Sequence, residues 1–219
     1  NTGTTGNFTV AGNGGGGTGG TIQSKTGDAI QLTNVDGVSL NYMTVINING
    51  NGVLGNTVTD FAMANSTFTN IADTLTPDEA ALFFNNLQGL SSFTNNTITN
   101  ALDDQIFVNQ TGTANLALFT LTGNAFNGHD TDNDAFRYQG INTTNGTIEI
   151  KGNTFINSDG DFIQITLENA ANLNITVGGA GAETNSFTNT GAFIPLAGGI
   201  TFSPGGGAGW NGRLDFDIN

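Results

Sequence analysis

The acidic residues are where this sequence could do chemistry. Asp130-Thr131-Asp132-Asn133-Asp134 places carboxylates at alternate positions, the spacing by which calcium loops converge on a hard cation. Two further acidic pairs flank it, Asp103-Asp104 and Asp159 with Asp161. Carboxylates held ~5 Å apart repel unless a cation or a proton intervenes. Calcium is therefore the expected cofactor, with Asp104, Asp130, Asp132, Asp134, Asp159 and Asp161 as candidate ligands. Solvated turn aspartates are the competing reading of the same residues. A second candidate set is Phe83, Phe107 and Arg137, expected on the outer side of successive strands. There they would form an apolar contact stripe for a partner or glycan, unless loops fold over the rings. The chain has one histidine, His129, and no cysteine, which removes disulfides, thiolate zinc sites and thiol nucleophiles.

Composition narrows the classes further. The 219 residues carry 18 Asp plus Glu against 4 Lys plus Arg, a formal charge of −14. Four cations cannot build a basic patch, so nucleic-acid binding is excluded. No apolar run approaches the ~18 residues of a membrane span. An acidic, cysteine-free, lysine-poor surface suits secretion, so the expected location is extracellular or at a cell surface.

The elements that must position these residues come from a repeat. Thr67-Phe68-Thr69-Asn70, Thr97-Ile98-Thr99-Asn100, Thr154-Phe155-Ile156-Asn157 and Ser186-Phe187-Thr188-Asn189 are copies of one phrase. Thr44-Val45-Ile46-Asn47 and Ala125-Phe126-Asn127-Gly128 are degenerate copies, and Thr21-Ile22-Gln23-Ser24 opens the series. The bulky residue falls at 22, 45, 68, 98, 126, 155 and 187, a period that drifts by insertion as in solenoids with variable loops. Within one repeat, Ile30-Gln31-Leu32, Val38-Ser39-Leu40 and Thr44-Val45-Ile46 alternate as three short strands with polar or Gly corners. First strands are also expected at 81–84, 105–108, 135–138, 162–165 and 193–196. They give an outward column of Gln31, Phe83, Phe107, Arg137, Gln164 and Pro195. Two residues before the first-strand Ile stand Asp28, Asp104, Asp134 and Asp161 in different repeats, a prospective acidic column.

This repeat resembles the right-handed parallel β-helix repeat of pectate-lyase-like enzymes and of bacterial surface adhesins and autotransporter passengers. The resemblance covers about residues 7–219. It implies an all-β, three-sided solenoid of about seven coils, with Asn47, Asn70, Asn100, Asn157 and Asn189 laddered at one corner. The chain is expected to be a single solenoid segment, either a slice of a longer repetitive extracellular chain or a subunit stacking end to end into a filament. Asn7-Phe8-Thr9-Val10 reads as the last strand of a preceding coil.

The fold carries both enzymes and inert stalks, so activity must be argued from the site. Asp103-Asp104-Gln105-Ile106 resembles the Asp-Asp-Cys-Ile stretch of polygalacturonase-type glycosidases, and Gly128-His129 stands one coil later where that family has Gly-His-Gly. The match departs at Glu149-Ile150-Lys151, which puts an acid where the family has an arginine, and at Asp130 after the histidine. The expected function is therefore a non-catalytic structural or adhesive segment, with a glycan or cell-surface ligand and self-association as its candidate partners. A pectin-degrading lyase or hydrolase is the alternative. Ice binding through Thr-x-Thr columns is a further reading, which Ile46, Asn127 and Ile156 interrupt.

Overall fold

The computed structural model describes residues 2–72, 79–128, 134–142, 145–169, 172–190, 199–204 and 212–217, with only the backbone considered at 2–5 and 217. Two parallel sheets account for nearly all of them. Strands are numbered in chain order. The smaller sheet holds seven: β2 (Gly20–Lys25), β4 (Met43–Ile48), β6 (Thr67–Ile71), β9 (Thr97–Ala101), β12 (Ala125–Asn127), β15 (Thr154–Ile156) and β18 (Ser186–Thr188). The larger sheet begins with β1 (Thr2–Val10), β3 (Ile30–Asn41) and β5 (Val53–Ala64). It then divides into two runs. One is β7 (Ala80–Gln88), β10 (Asp104–Thr111), β13 (Phe136–Ile141), β16 (Ile163–Glu168) and β19 (Ile200–Pro204). The other is β8 (Leu90–Thr94), β11 (Asn115–Thr122), β14 (Asn145–Lys151), β17 (Asn172–Gly178) and β20 (Arg213–Asp217).

The division makes the third side. The first part of β5 pairs with β7, through Val53 with Leu82, and its last part pairs with β8, through Met63 with Phe93. The chain thus winds as a parallel β-helix, each turn adding one strand to each side. The only helical element among the described residues is one 3₁₀ turn at Gly181–Glu183.

The repeat phrase is the register of the smaller sheet. Ile22 lies beside Val45, Val45 beside Phe68, Phe68 beside Ile98, Ile98 beside Phe126, Phe126 beside Phe155, and Phe155 beside Phe187. The rings of Phe126, Phe155 and Phe187 stack nearly parallel at 4.9 and 5.0 Å. A second aromatic series, Phe84, Phe61, Phe93, Phe119 and Phe136, runs through the core with successive centroids 4.9 to 5.4 Å apart. Fully burying such a ring contributes about 2–3 kcal/mol by area alone. Room is made locally for the larger ones: a Cβ at Gly55 would collide with the Phe84 ring, its register partner on β7.

Polar ladders run beside the apolar stacks. At the corner after the smaller-sheet strands, Asn70 Nδ2 donates to Asn47 Oδ1 at 2.9 Å and Asn100 Nδ2 to Asn70 Oδ1 at 3.2 Å. These asparagines have φ of 55–56°, the left-handed region that turns the chain and that Asn tolerates better than other side chains. The ladder breaks at Gly128, so Asn157 reaches Asn127 instead, at 3.5 Å, and Asn157 Oδ1 accepts from Thr190. Asn189 Oδ1 accepts no hydrogen bond, so the expected five-residue ladder is complete only over Asn47, Asn70 and Asn100.

A second ladder lies inside the tube, just before the smaller-sheet strands. Asn96 donates from both its backbone N and its Nδ2 to Asn124 Oδ1. Asn124 does the same to Asn153, and Asn153 to Asn185, all at 2.9–3.0 Å. Each Nδ2 also donates to a core-strand carbonyl, of Met63, Phe93, Leu121 and Ile150 respectively. Donation runs toward the C-terminal coils here, and toward the N-terminal coils in the outer ladder.

Two sequence expectations change. β1 is not a smaller-sheet strand: Phe8 pairs with Val38 and Val10 with Leu40, on the larger sheet. The last first-side strand is Ile200–Pro204, paired through Ile163 with Ile200, rather than 193–196, which fall outside the described residues. The outward column accordingly gains Leu54 on β5 and ends on Thr201.

The two ladders predict different losses. Asn124→Ala strands buried donors and acceptors on three layers and should cost about 3 kcal/mol in denaturant unfolding. Asn70→Ala loses exposed bonds and places Ala at positive φ, about 1–2 kcal/mol, and Asn70→Gly should recover most of the backbone part. Equal losses for Asn124→Ala and Asn70→Ala would contradict the assignment of the inner ladder as the stronger one.

Candidate functional site

The register brings the acidic column together. Ile106 pairs with Leu82 and Phe136, and Phe136 pairs with Ile163; two residues earlier, Asp104 aligns with Ala80, Asp134 and Asp161. All three aspartates are buried, Asp104 the most deeply at 2% exposure. Their carboxylates have protein partners. Asp134 N donates to Asp104 Oδ1 at 3.2 Å, and Asp161 N donates to Asp134 Oδ1 at 2.6 Å. The same device works earlier in the chain: Asn51 N donates to Asp28 Oδ1, and Ala80 N to Asn51 Oδ1, both at 2.8 Å. The column is thus a side-chain-to-backbone ladder at a corner where the chain between sheets leaves amide groups open.

Arg137 on β13 closes this ladder from the outer side. Its Nη1 lies 3.4 Å from Asp104 Oδ2, and its guanidinium carbon 4.5 Å above the Phe107 ring. Phe107 stacks on Phe83 at 5.0 Å. With Ala80 and Leu54 these rings form a small apolar cluster separate from the main core. Phe83 and Phe107 are only 3% and 4% exposed, so the pair is not the open apolar stripe that strand alternation suggests. The part of the column that reaches solvent here is Arg137, its side chain 36% exposed.

Electrostatics at Asp104 follows from that burial. Loss of solvent pushes its carboxyl from the usual 3.8 up to about 8, and the charges of Asp134 and Asp103 push the same way. Arg137 and the Asp134 amide pull it down but do not win, because the guanidinium is half in water and its contact is long.

Of the other candidates, Asp159 is half-buried in the bend before Asp161, and Asp130, Asp132 and His129 lie outside the described residues. Among the described residues no three carboxylate or imidazole groups are placed to hold one metal ion. Sequence reasoning missed Gln105, whose side chain is fully buried beside Asp104 and makes no hydrogen bond at either end. It also missed the inner asparagine ladder, although the recurring Gly123-Asn124, Gly152-Asn153 and Thr184-Asn185 corners mark it. Among the described residues no helix is long and apolar enough to cross a membrane.

No family model, curated protein or solved structure matches this chain.

The Asp104 carboxyl keeps its proton between pH about 4 and about 8 in the folded protein, where the unfolded chain has lost it. Folding then takes up a proton, so this group lowers stability as pH rises through the window. Asp104→Asn cannot ionise. Denaturant unfolding from pH 4 to pH 8 should show a smaller fall in stability for Asp104→Asn than for the wild type. Parallel curves would mean that Asp104 ionises at its ordinary pH.

Proposed function

We propose that this chain is a rigid, non-catalytic segment of an extracellular or cell-surface protein, serving as a stalk or adhesive rod. The supporting observation is the unbroken partner-to-partner stacking from Ile22 to Phe187, flanked by asparagine ladders that tie successive layers from Asn47 to Asn185. Such a tube resists bending and local opening because removing one layer leaves two faces of apolar and polar groups without partners. The most perturbed carboxyl, Asp104, is buried against Arg137 and the Asp134 amide, which supports a structural use over attack on a bound polymer. Loops inserted between ladders would carry the ligand-binding surface, for which a glycan or cell-surface partner is the candidate.

Calcium belongs to the same reading, with Asp104, Asp134, Asp159 and Asp161 as candidate ligands among the described residues and Asp130 and Asp132 as candidates from the sequence alone. Adding calcium to chelator-treated protein is expected to release heat and raise the melting temperature. No heat and no shift would remove the ion from this account.

Incubation with pectin-type and alginate-type polymers, calcium included, is expected to give no new reducing ends and no unsaturated products. Immobilised protein is expected to retain glycans or cells without altering them. Turnover that Asp104→Asn abolishes would replace this reading with the pectin-degrading one.

A further inference from the structure

Six asparagines are followed directly by glycine: Asn13, Asn49, Asn51, Asn127, Asn145 and Asn211. Such a pair can react with itself. The glycine nitrogen, having lost its proton, attacks the asparagine Cγ. The side-chain nitrogen leaves as ammonia, and a five-membered succinimide closes. Water then opens the ring at either carbonyl, leaving aspartate or isoaspartate, the latter with one extra carbon in the backbone. Glycine favours the attack because no Cβ stands in the way. In a folded chain two conditions decide the outcome: the side-chain amide must be free to swing, and the glycine N–H must be free to meet it. Asn211 lies outside the described residues, and the fold separates the other five.

Three pairs are held. Asn51 is 5% exposed; its N and Nδ2 both donate to Asp28 Oδ1, its Oδ1 accepts from Ala80 N, and Gly52 N donates to Ala80 O. Gly128 N donates to Ile156 O at 2.9 Å, and Asn127 Oδ1 accepts from Asn157. Asn145 and Gly146 lie in β14, where Gly146 is aligned between Leu116 and Leu173 and a Cβ on it would collide with Leu116 O. Asn49 meets one condition only. Its side chain is exposed, but Gly50 is buried against Asp28, whose N and Oδ1 lie 2.8 Å from where a Cβ would stand.

Asn13 meets both. It is exposed in the connection between β1 and β2, and among the described residues its only hydrogen bond runs from its backbone N to Thr18 Oγ1 at 3.1 Å. Gly14 is exposed too. Its N–H donates to nothing among the described residues, and no atom lies within 4 Å of its empty Cβ position. We propose that Asn13 is a site of spontaneous covalent modification, passing to aspartate and isoaspartate in the folded protein while Asn51, Asn127 and Asn145 persist as asparagine. The new charge and the extra carbon fall beside exposed Gly14, Gly15 and Gly16, outside the stacked layers. At Asn51 the same change would set a second carboxylate against Asp28 in place of an amide that donates to it.

Incubation of the folded protein at pH 8, beside a sample unfolded in urea, tests this. Trypsin cleavage at Lys25, Arg137, Lys151 and Arg213 puts Asn13 on one peptide and Asn145 on another; fragmentation resolves Asn49, Asn51 and Asn127 on a third. Mass spectrometry reads deamidation, and labelling by an isoaspartyl methyltransferase reads isoaspartate. In the folded protein Asn13 is expected to convert about tenfold faster than Asn51, because a held pair reacts only while its layer is open. In urea the rates are expected to converge. The rate at Asn13 should rise with pH, and Asn13→Gln should remove the label from its peptide. The proposal is overturned if Asn13 converts no faster than Asn51 in the folded protein, or if the same advantage persists in urea, where the fold can no longer be its cause.

Discussion

One constraint governs the molecule: a side chain in this tube must suit the side chain ~4.8 Å above it and the one below. In an ordinary domain a core residue answers to a cluster of neighbours from all directions. Here it answers chiefly to its own column. That is why columns are chemically uniform, phenylalanine over phenylalanine, asparagine over asparagine, aspartate over aspartate. The interior asparagines show what the rule achieves. A single buried carboxamide would be costly, but a row of them satisfies its own donors and acceptors together with the open amides and carbonyls of the corners.

The acidic column obeys the same rule with a different acceptor. An aspartate and an asparagine do the same job at this corner, taking a backbone N–H from the next layer, as Asp28, Asn51, Asp104 and Asp134 do in turn. The carboxylates therefore have a structural reason to be there. The repulsion within their row is relieved at Asp104 by a retained proton and by Arg137.

How much of this was legible in the residues depends on whether the controlling interaction was local in sequence. The Thr-aromatic-x-Asn phrase carried the parallel stacking and the Asp104–Asp134–Asp161 alignment, because both follow from period and parity alone. Parity could not show that Phe83 and Phe107 are buried, since strand alternation puts them outward and does not say what else packs there. It could not place β1 either: a strand with alternating Phe8 and Val10 reads alike on any side of the tube. The last first-side strand slipped from 193–196 to 200–204 because both segments alternate bulky apolar residues, Ile194 with Leu196 and Ile200 with Phe202, and only pairing with Ile163 chooses between them. Gln105 left no trace in the pattern, because nothing in a lone glutamine before an isoleucine announces burial without partners.

The outer and inner asparagine ladders point their amides in opposite senses along the axis, Asn100 toward Asn47 and Asn96 toward Asn185. Aligned amide groups add their dipoles, as they do in a helix. A tube with every ladder oriented alike would accumulate a macroscopic dipole that grows with each added coil. Opposed rows offset one another only in part, because the bonds from Asn65 to Asn41, Asn85 to Asn56, Asn109 to Asn85 and Asn169 to Asn142 run in the same sense as the outer ladder, so a tube lengthened by whole coils stays balanced only where inner rows are added along with outer ones.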